Sequence, residues 1–161
     1  MEVSPDDVRW YAVKVFFNRM EPLREQLTEE GVDFFVPELV KSLLFIRVDD
    51  ASLARFEKDN YGKIWVYRDP LTGKRSAIPD REMEVFIFVC TAGRQGLSYL
   101  GEDRPEYHLG DRVRVTEGPL KGAEGYIKRI KKDRRLVVSI RGVAAVATTF
   151  IPPEFIQTIT E

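Results

Sequence analysis

The chain has 161 residues, of which 43% are hydrophobic and 32% charged, which suits one average domain or two small ones. Its formal net charge is −1, and it contains no apolar run of about eighteen residues, so we expect no membrane span. The acidic start MEVSPDDVRW lacks the layout of a signal peptide, and a single cysteine, Cys90, excludes an internal disulfide. We therefore expect a cytoplasmic protein.

The charge is divided unevenly along the chain. From residue 109 onward there are ten Lys and Arg against six Asp and Glu, a net charge of +4, whereas residues 1–108 carry a net charge of −5. A basic carboxyl-terminal part beside an acidic amino-terminal part indicates that the two parts meet different partners.

Alternation and helical spacing predict the order βαββαβα in the first part. We expect strands at 10–17, 33–37, 42–48 and 64–68, a helix from a capping-box-like Asn18 to Gly31, and a helix capped by Asp49 or Asp50 that runs through Asp59. Asp80 should open a further helix that ends near Gly93. Its apolar residues Met83, Phe86, Ile87 and Cys90 recur at i, i+3, i+4 and i+7, which favours a mostly buried helix over a strand.

The predicted strand at 42–48 carries an apolar side chain on both of its faces. Leu44 and Ile46 share one face, whereas Leu43 and Phe45 share the other with Arg47. Since arginine is rarely buried without a partner, we expect the Leu43, Phe45 and Arg47 face to be at least partly open. The alternative is that the linker or the second domain covers it.

The second part begins after a segment, 93–108, that has the composition of a linker. The stretch GDRVRVTEGPLKGAEGYI (110–127) alternates valine with arginine and places turns at Gly118-Pro119 and between Gly122 and Gly125. Glycines there suit a positive φ or a close approach to a neighbouring strand. We expect strands near 111–116, 124–131, 135–141 and 143–150, with Phe155 and Ile156 closing the end.

The stretch 110–127 resembles the KOW motif, which is typical of small SH3-like barrels. Together with WYAV near the start and the βαββαβ order, it makes nearly the whole chain similar to the NusG family of transcription elongation factors. Segments 78–87 and 134–151 most resemble the UpxY-type antiterminators of surface-polysaccharide operons. The resemblance implies an α+β chain: an NGN-like antiparallel-sheet αβ sandwich at 8–92, a linker at 93–108 and a KOW barrel at 109–161.

The resemblance also implies a function without catalysis. Such proteins bind RNA polymerase and suppress pausing or termination, and their barrel recruits a ribosomal protein or Rho. Nontemplate DNA or leader RNA is a further expected partner, and no cofactor is expected. Position by position, the resemblance places clamp binding on Trp10, Leu43 and Phe45, gate-loop contacts on Ala54, Arg55 and Phe56, and nontemplate DNA near Lys14, Asn18 and Arg19.

Two further groups of residues carry weaker signals. A dense basic cluster indicates contact with RNA or the ribosome, although such a cluster is usually just a solvated hairpin; it comprises Lys128, Arg129, Lys131, Lys132, Arg134 and Arg135. His108 has no Cys or second His nearby, so we expect no metal site, and no nucleophile–base pair is apparent. The alternative function is therefore a ribosome-associated or RNA-binding KOW protein, and an enzyme is a distant third.

Overall fold

The computed structural model describes residues 7–159. The first six residues, part of the segment considered for a signal peptide, and the last two of the predicted second domain lie outside that range. The described chain divides into two compact units, of which unit 1 ends at Asp80 and unit 2 begins at Arg81. Each unit contains an antiparallel sheet, so the fold is a mixture of helices and antiparallel strands.

Unit 1 contains five strands and two helices among the described residues. In chain order they are β1 (Arg9–Val15), α1 (Met20–Glu29), β2 (Asp33–Phe35), β3 (Leu43–Val48), α2 (Asp50–Asp59), β4 (Ile64–Val66) and β5 (Ala77–Ile78). The strand order is β2-β3-β1-β4, and β5 also pairs with β1. Leu23 and Leu27 of α1 and Leu53 of α2 pack against one face of this sheet and form its core with Tyr11 and Val13. One face of β1, which carries Tyr11 and Val13, is therefore the core face of unit 1.

The two helices of unit 1 begin in different ways. Asp49 caps α2 as predicted, because its carboxylate accepts hydrogen bonds from the Ser52 backbone N–H at 2.9 Å and from Ser52 Oγ at 2.6 Å. The predicted cap at Asn18 is wrong. The N-cap residue of α1 is Arg19, whose side chain makes no capping hydrogen bond, and Asn18 lies in the left-handed region at φ 56°.

Unit 2 holds the long third helix and a six-stranded sheet. Its elements are α3 (Asp80–Ala92, whose first residue belongs to unit 1), β6 (Ser98–Gly101), a 3₁₀ helix (Pro105–His108), β7 (Arg112–Val115), β8 (Glu124–Ile130), β9 (Asp133–Ile140), β10 (Ala144–Phe150), a 3₁₀ helix (Pro153–Phe155) and β11 (Ile156–Thr158). The helix predicted between Asp80 and Gly93 is confirmed, and Met83, Phe86 and Cys90 on it are buried.

The sheet of unit 2 has the order β11-β7-β8-β9-β10-β6. Among residues 7–159 no pairing joins β11 to β6, so the predicted closure into a barrel is not observed. The segment predicted as a linker contains β6, which pairs with β10 and extends the sheet by one strand. Phe155 and Ile156 lie at the other end of the sheet, where Ile156 begins β11, a strand that was not predicted and that pairs with β7.

The turn between β7 and β8 explains the glycine pattern. Gly118 and Gly122 have φ values of 87° and 96°, which residues other than glycine rarely adopt. Gly125 meets a different need, because a Cβ there would lie 2.3 Å from the carbonyl oxygen of Val137 on the neighbouring strand. Pro119 follows Gly118, and the Lys121 N–H closes the turn on the Gly118 carbonyl at 3.1 Å.

Candidate functional site

One face of the unit 1 sheet collects several of the predicted site residues. Trp10 of β1 lies opposite Arg47 of β3, and Lys14 lies opposite Leu43. Phe45 lies opposite Ala12, so it belongs to the same face. The other face of these strands carries Tyr11, Val13, Leu44 and Ile46, which form the core with the helices. The strand register therefore brings together Trp10, Lys14, Leu43 and Phe45, which we call the outer face.

The outer face is closed at its centre: of the Leu43, Phe45 and Arg47 row, which we expected to be at least partly open, only Arg47 is accessible, and the expectation is wrong for Leu43 and Phe45. Leu43 is 4% exposed and Phe45 is 0% exposed. Because β3 lies between β2 and β1, Phe45 has a neighbour on each side, and Phe35 of β2 stacks on its ring. Trp10 and Arg47, at one end of the row, are half-buried. The presence of Arg47 therefore predicted solvent exposure correctly at its own end of β3, but not at Leu43 and Phe45.

The other end of the outer face is open and aromatic. Trp65 of the edge strand β4 lies opposite Lys14 and is 47% exposed. Tyr67 packs edge-on against Trp65, with 4.6 Å between the ring centroids, and Lys14 Nζ lies 5.8 Å from the centroid of Phe16. Sequence reasoning missed Trp65. The signal was its place between the buried residues Ile64 and Val66, which directs its side chain to the opposite face.

The β1–α1 connection next to this end holds a strained backbone. Phe17 and Asn18 have φ values of 57° and 56°, and the ring of Phe17 is 81% exposed. A bulky residue in the left-handed region costs stability, and such positions cluster at functional sites. Asn18 and Arg19 are also exposed. Exposed aromatic rings beside Lys14 and Arg19 form a surface suited to stacking and to anion contact.

The residues expected to contact the gate loop lie within α2. Phe56 is 7% exposed and belongs to the core of unit 1, so its side chain faces away from any partner. Ala54 is half-buried. Arg55 is exposed, and its guanidinium donates to Ser52 Oγ at 3.3 Å. Of the three residues, Arg55 is therefore the one that presents an exposed polar group.

In unit 2 the predicted basic cluster lies on the β8–β9 hairpin. Four of its residues are exposed, and Lys128 and Arg135 are half-buried. A second charged group surrounds Glu124, whose side chain is 8% exposed and lies near the guanidinium groups of Arg81, Arg112 and Arg114. Burial raises the pKa of Glu124, but the hydrogen bond from Arg81 and the three positive charges outweigh burial, so the pKa is lowered.

The polar groups of the described residues do not form a recognisable catalytic arrangement. His108 Nε2 lies 2.8 Å from Asp103 Oδ2 and 3.4 Å from Ser139 Oγ. Because both partners meet the same ring nitrogen, the histidine is not placed to relay a proton from the serine to the carboxylate. Burial raises the pKa of the Cys90 thiol to about 12, which makes it a poor nucleophile.

Within residues 7–159 no group of three or more His, Cys, Asp or Glu residues could hold a metal ion. No helix in the same range is long and apolar enough to cross a membrane.

Comparison with known proteins identifies the fold. No protein-family model and no curated protein sequence matches the chain. A solved structure that shows domain interaction in Thermotoga maritima NusG matches over 98% of this chain and 100% of its own chain, with 15% sequence identity and a TM-score of 0.55. A second match is a chain of the MjSpt4:Spt5 complex. The match covers 94% of this chain and 97% of that one, with 13% sequence identity and a TM-score of 0.35. The chain is thus similar in fold to NusG.

Proposed function

We propose that this protein is a transcription elongation and antitermination factor that binds RNA polymerase and has no catalytic chemistry of its own. The observation that carries the proposal is the outer face of unit 1. The register of β1 and β3 places Trp10, Lys14, Leu43 and Phe45 side by side on a NusG-like fold. For three of these positions, Trp10, Leu43 and Phe45, the sequence resemblance implies clamp binding, which supports a docking role for the face, whereas for Lys14 it implies a contact with nontemplate DNA.

The burial of Leu43 and Phe45 determines how such docking begins. A partner that approaches this conformation meets Trp65, Lys14 and Phe16 at the open end, because the centre of the face is closed. Trp65 is a large half-exposed aromatic residue, the kind that serves as an anchor in protein interfaces. The polymerase therefore contacts the open end first, and full contact with Leu43 and Phe45 requires their exposure. Arg55 supplies the gate-loop contact, since Phe56 is in the core.

The strained β1–α1 connection suits an exposed nontemplate strand. Phe17 presents an almost fully exposed ring from a left-handed backbone, and Lys14 and Arg19 supply positive charge next to it. Stacking on aromatic rings together with cation–phosphate contacts is the usual way in which proteins hold single-stranded nucleic acid. The factor then serves one set of surface-polysaccharide genes, as the resemblance of 78–87 and 134–151 to the UpxY type suggests. Unit 2 recruits a ribosomal protein or Rho.

Binding of the full chain to purified core RNA polymerase, measured by biolayer interferometry without RNA, tests this proposal. The double variant Trp65→Ala/Lys14→Ala should bind at least about thirtyfold more weakly, which corresponds to loss of about 2 kcal/mol at an aromatic anchor. Tyr61→Ala is the matched control, because Tyr61 is an aromatic residue of unit 1 that is 89% exposed and lies outside the outer face. Equal affinity of the double variant and the control would contradict the proposal that the outer face binds RNA polymerase.

The alternative function is a ribosome-associated or RNA-binding protein. The specific observation in its favour is the basic β8–β9 hairpin in unit 2. Affinity for RNA together with no measurable affinity for core polymerase would favour this alternative.

A further inference from the structure

The β8–β9 hairpin turns on two lysines that its geometry does not favour. Ile130 pairs with Asp133, so Lys131 and Lys132 alone form the turn, and their φ values are 51° and 71°. A two-residue turn with positive φ at both positions normally contains Asn-Gly or a similar pair, because other side chains are strained there. Lysine at both positions therefore weakens the hairpin. The fold gains nothing visible in return.

The two strands next to this turn also carry an unfavourable arrangement, because they place like charges opposite each other. Arg129 lies directly opposite Arg134, and like charges in that position repel. Lys128 also faces Arg135, but this second pair is satisfied within the protein. Lys128 Nζ donates to the Leu109 carbonyl at 2.6 Å, and Arg135 forms an ion pair with Asp133 at 3.4 Å.

The remaining cations of the hairpin are exposed and have no such partner. No ion pair of Arg129, Lys131, Lys132 or Arg134 is found among residues 7–159. Asp133 is the single carboxylate between residues 128 and 135, and it is engaged by Arg135, two residues along the same strand. Local rules that are broken without compensation inside the fold are expected where a ligand supplies the compensation.

We propose that the β8–β9 hairpin binds the phosphate backbone of single-stranded nucleic acid, and that it does so without RNA polymerase. Four unpaired cations at one hairpin tip match the regular negative charge of a phosphodiester chain. Phe150 of β10 lies opposite Arg135 and is 49% exposed, so its ring lies on the face of Lys128 and Arg135, and a flexible single strand that bends over the tip from the Arg129 and Arg134 face can stack an unpaired base on it. Phosphate contacts of this kind position the chain and do not read its sequence.

The test is fluorescence anisotropy of the full chain with a labelled single strand of about twenty nucleotides, as RNA and as DNA, between about 50 and 200 mM salt. The variant Lys131→Asn/Lys132→Gly removes two charges and supplies the residues that this turn prefers. It should bind about tenfold more weakly at low salt, and its slope of log affinity against log salt should be shallower by about 1.4. Its melting temperature should rise, because the turn is no longer strained.

The control is Lys63→Gln/Lys121→Gln, which removes two exposed lysines outside the hairpin. It should keep affinity within about twofold of the unchanged chain, since long-range charge alone is screened by salt. A second variant, Arg129→Ala/Arg134→Ala, should weaken binding as the turn variant does. The proposal would be overturned if the control and the turn variant lost equal affinity for the nucleic acid, or if neither hairpin variant lost affinity. It would also be overturned if polyglutamate of equal charge displaced the nucleic acid completely.

The outcome is distinguishable from failure of the proposed function. The turn variant should retain its affinity for core polymerase, because the surface proposed for polymerase lies in unit 1. The Trp65→Ala/Lys14→Ala variant should keep the salt slope that the hairpin contributes. A hairpin variant that loses polymerase and nucleic acid equally would contradict the assignment of nucleic-acid binding to the hairpin alone.

Discussion

Phe35 of β2 and Phe45 of β3 stack across neighbouring strands, with 6.4 Å between their ring centroids and 29° between their planes. Phe45 is completely buried, and its immediate neighbour on the same face, Leu43, is nearly so. These side chains are therefore structural in this conformation as well as candidates for partner binding. The effect of a mutation at either position on folding stability must therefore be measured before its effect on partner binding is interpreted.

We expect Phe45→Ala to lower the free energy of unfolding by about 3–5 kcal/mol, because it leaves a cavity beside Phe35. Trp65→Ala on the open end of the same face should cost much less, since its side chain is half exposed. Urea denaturation of the two variants beside the unchanged chain measures both values. If Phe45→Ala cost less than about 1 kcal/mol, the burial of the outer face would not hold in solution.

Glu124 should make unit 2 sensitive to acid. Its pKa is lowered in the folded state, so the unfolded chain takes up a proton first as the pH falls, and the stabilisation is lost below the ordinary glutamate pKa of 4.5. Glu124→Gln should therefore be less stable than the unchanged chain at pH 7, and the difference should shrink in more acidic buffer. Urea unfolding at several pH values measures the difference.

Glu117→Gln is the control for that series, because Glu117 is an exposed acidic residue of the same unit. Its stability should follow the unchanged chain at every pH. A difference between Glu124→Gln and the unchanged chain that stayed constant down to strong acid would show that the three guanidinium groups do not hold the carboxylate in its charged form.

The carboxyl-terminal sheet should fold without the rest of the chain. We predict that residues 107–161 are β-rich in far-UV circular dichroism, and that residues 95–161 melt at a higher temperature. The longer fragment retains β6, which pairs with β10, and Asp103, whose carboxylate accepts a hydrogen bond from the Gly142 N–H at 3.0 Å. A spectrum dominated by helix, or equal melting of the two fragments, would contradict this prediction.

Arg19 should matter for recruitment more than for basal affinity. It is exposed beside Phe17 at the strained connection, where the proposed nontemplate strand passes. Arg19→Ala should reduce loading on a transcription complex paused in the protein's own leader, while its affinity for core polymerase stays within about twofold. Footprinting of the paused complex measures loading. An equal loss of loading and of core affinity would assign Arg19 to the polymerase contact instead.

Much of the local structure could be predicted because the signals lie close together in sequence. Asp49 and Ser52 are three residues apart and form the predicted cap of α2. Met83, Phe86 and Cys90 recur at the helical period and are buried on α3 as expected. By contrast, β5 has two residues, too few for alternation to show, and β6 lies in a segment whose glycines indicate a linker.

Burial across strands was harder to predict than the strands themselves. Phe45 and Arg47 lie on the same face of β3 and each has a neighbour on β1 and on β2, yet Phe45 is completely buried and Arg47 is half-buried, so alternation along the strand could assign the face but not the burial of each residue. Closure of the unit 2 sheet into a barrel was equally hard to predict. It requires β11 to pair with β6, and the KOW-like motif at 110–127 does not determine that pairing. The like-charge pair Arg129 and Arg134 could not be identified before the hairpin register was known.

The most direct test of the central claim is a single-round transcription assay with purified polymerase, in which read-through of an early terminator is quantified. We expect the full chain to increase read-through on a template with its own leader and to have little effect on unrelated templates. Trp65→Ala/Lys14→Ala should lose the effect, and Tyr61→Ala should keep it. No change in read-through on any template, or an identical effect of the double variant and the unchanged chain, would contradict the claim that this protein acts on RNA polymerase through its outer face.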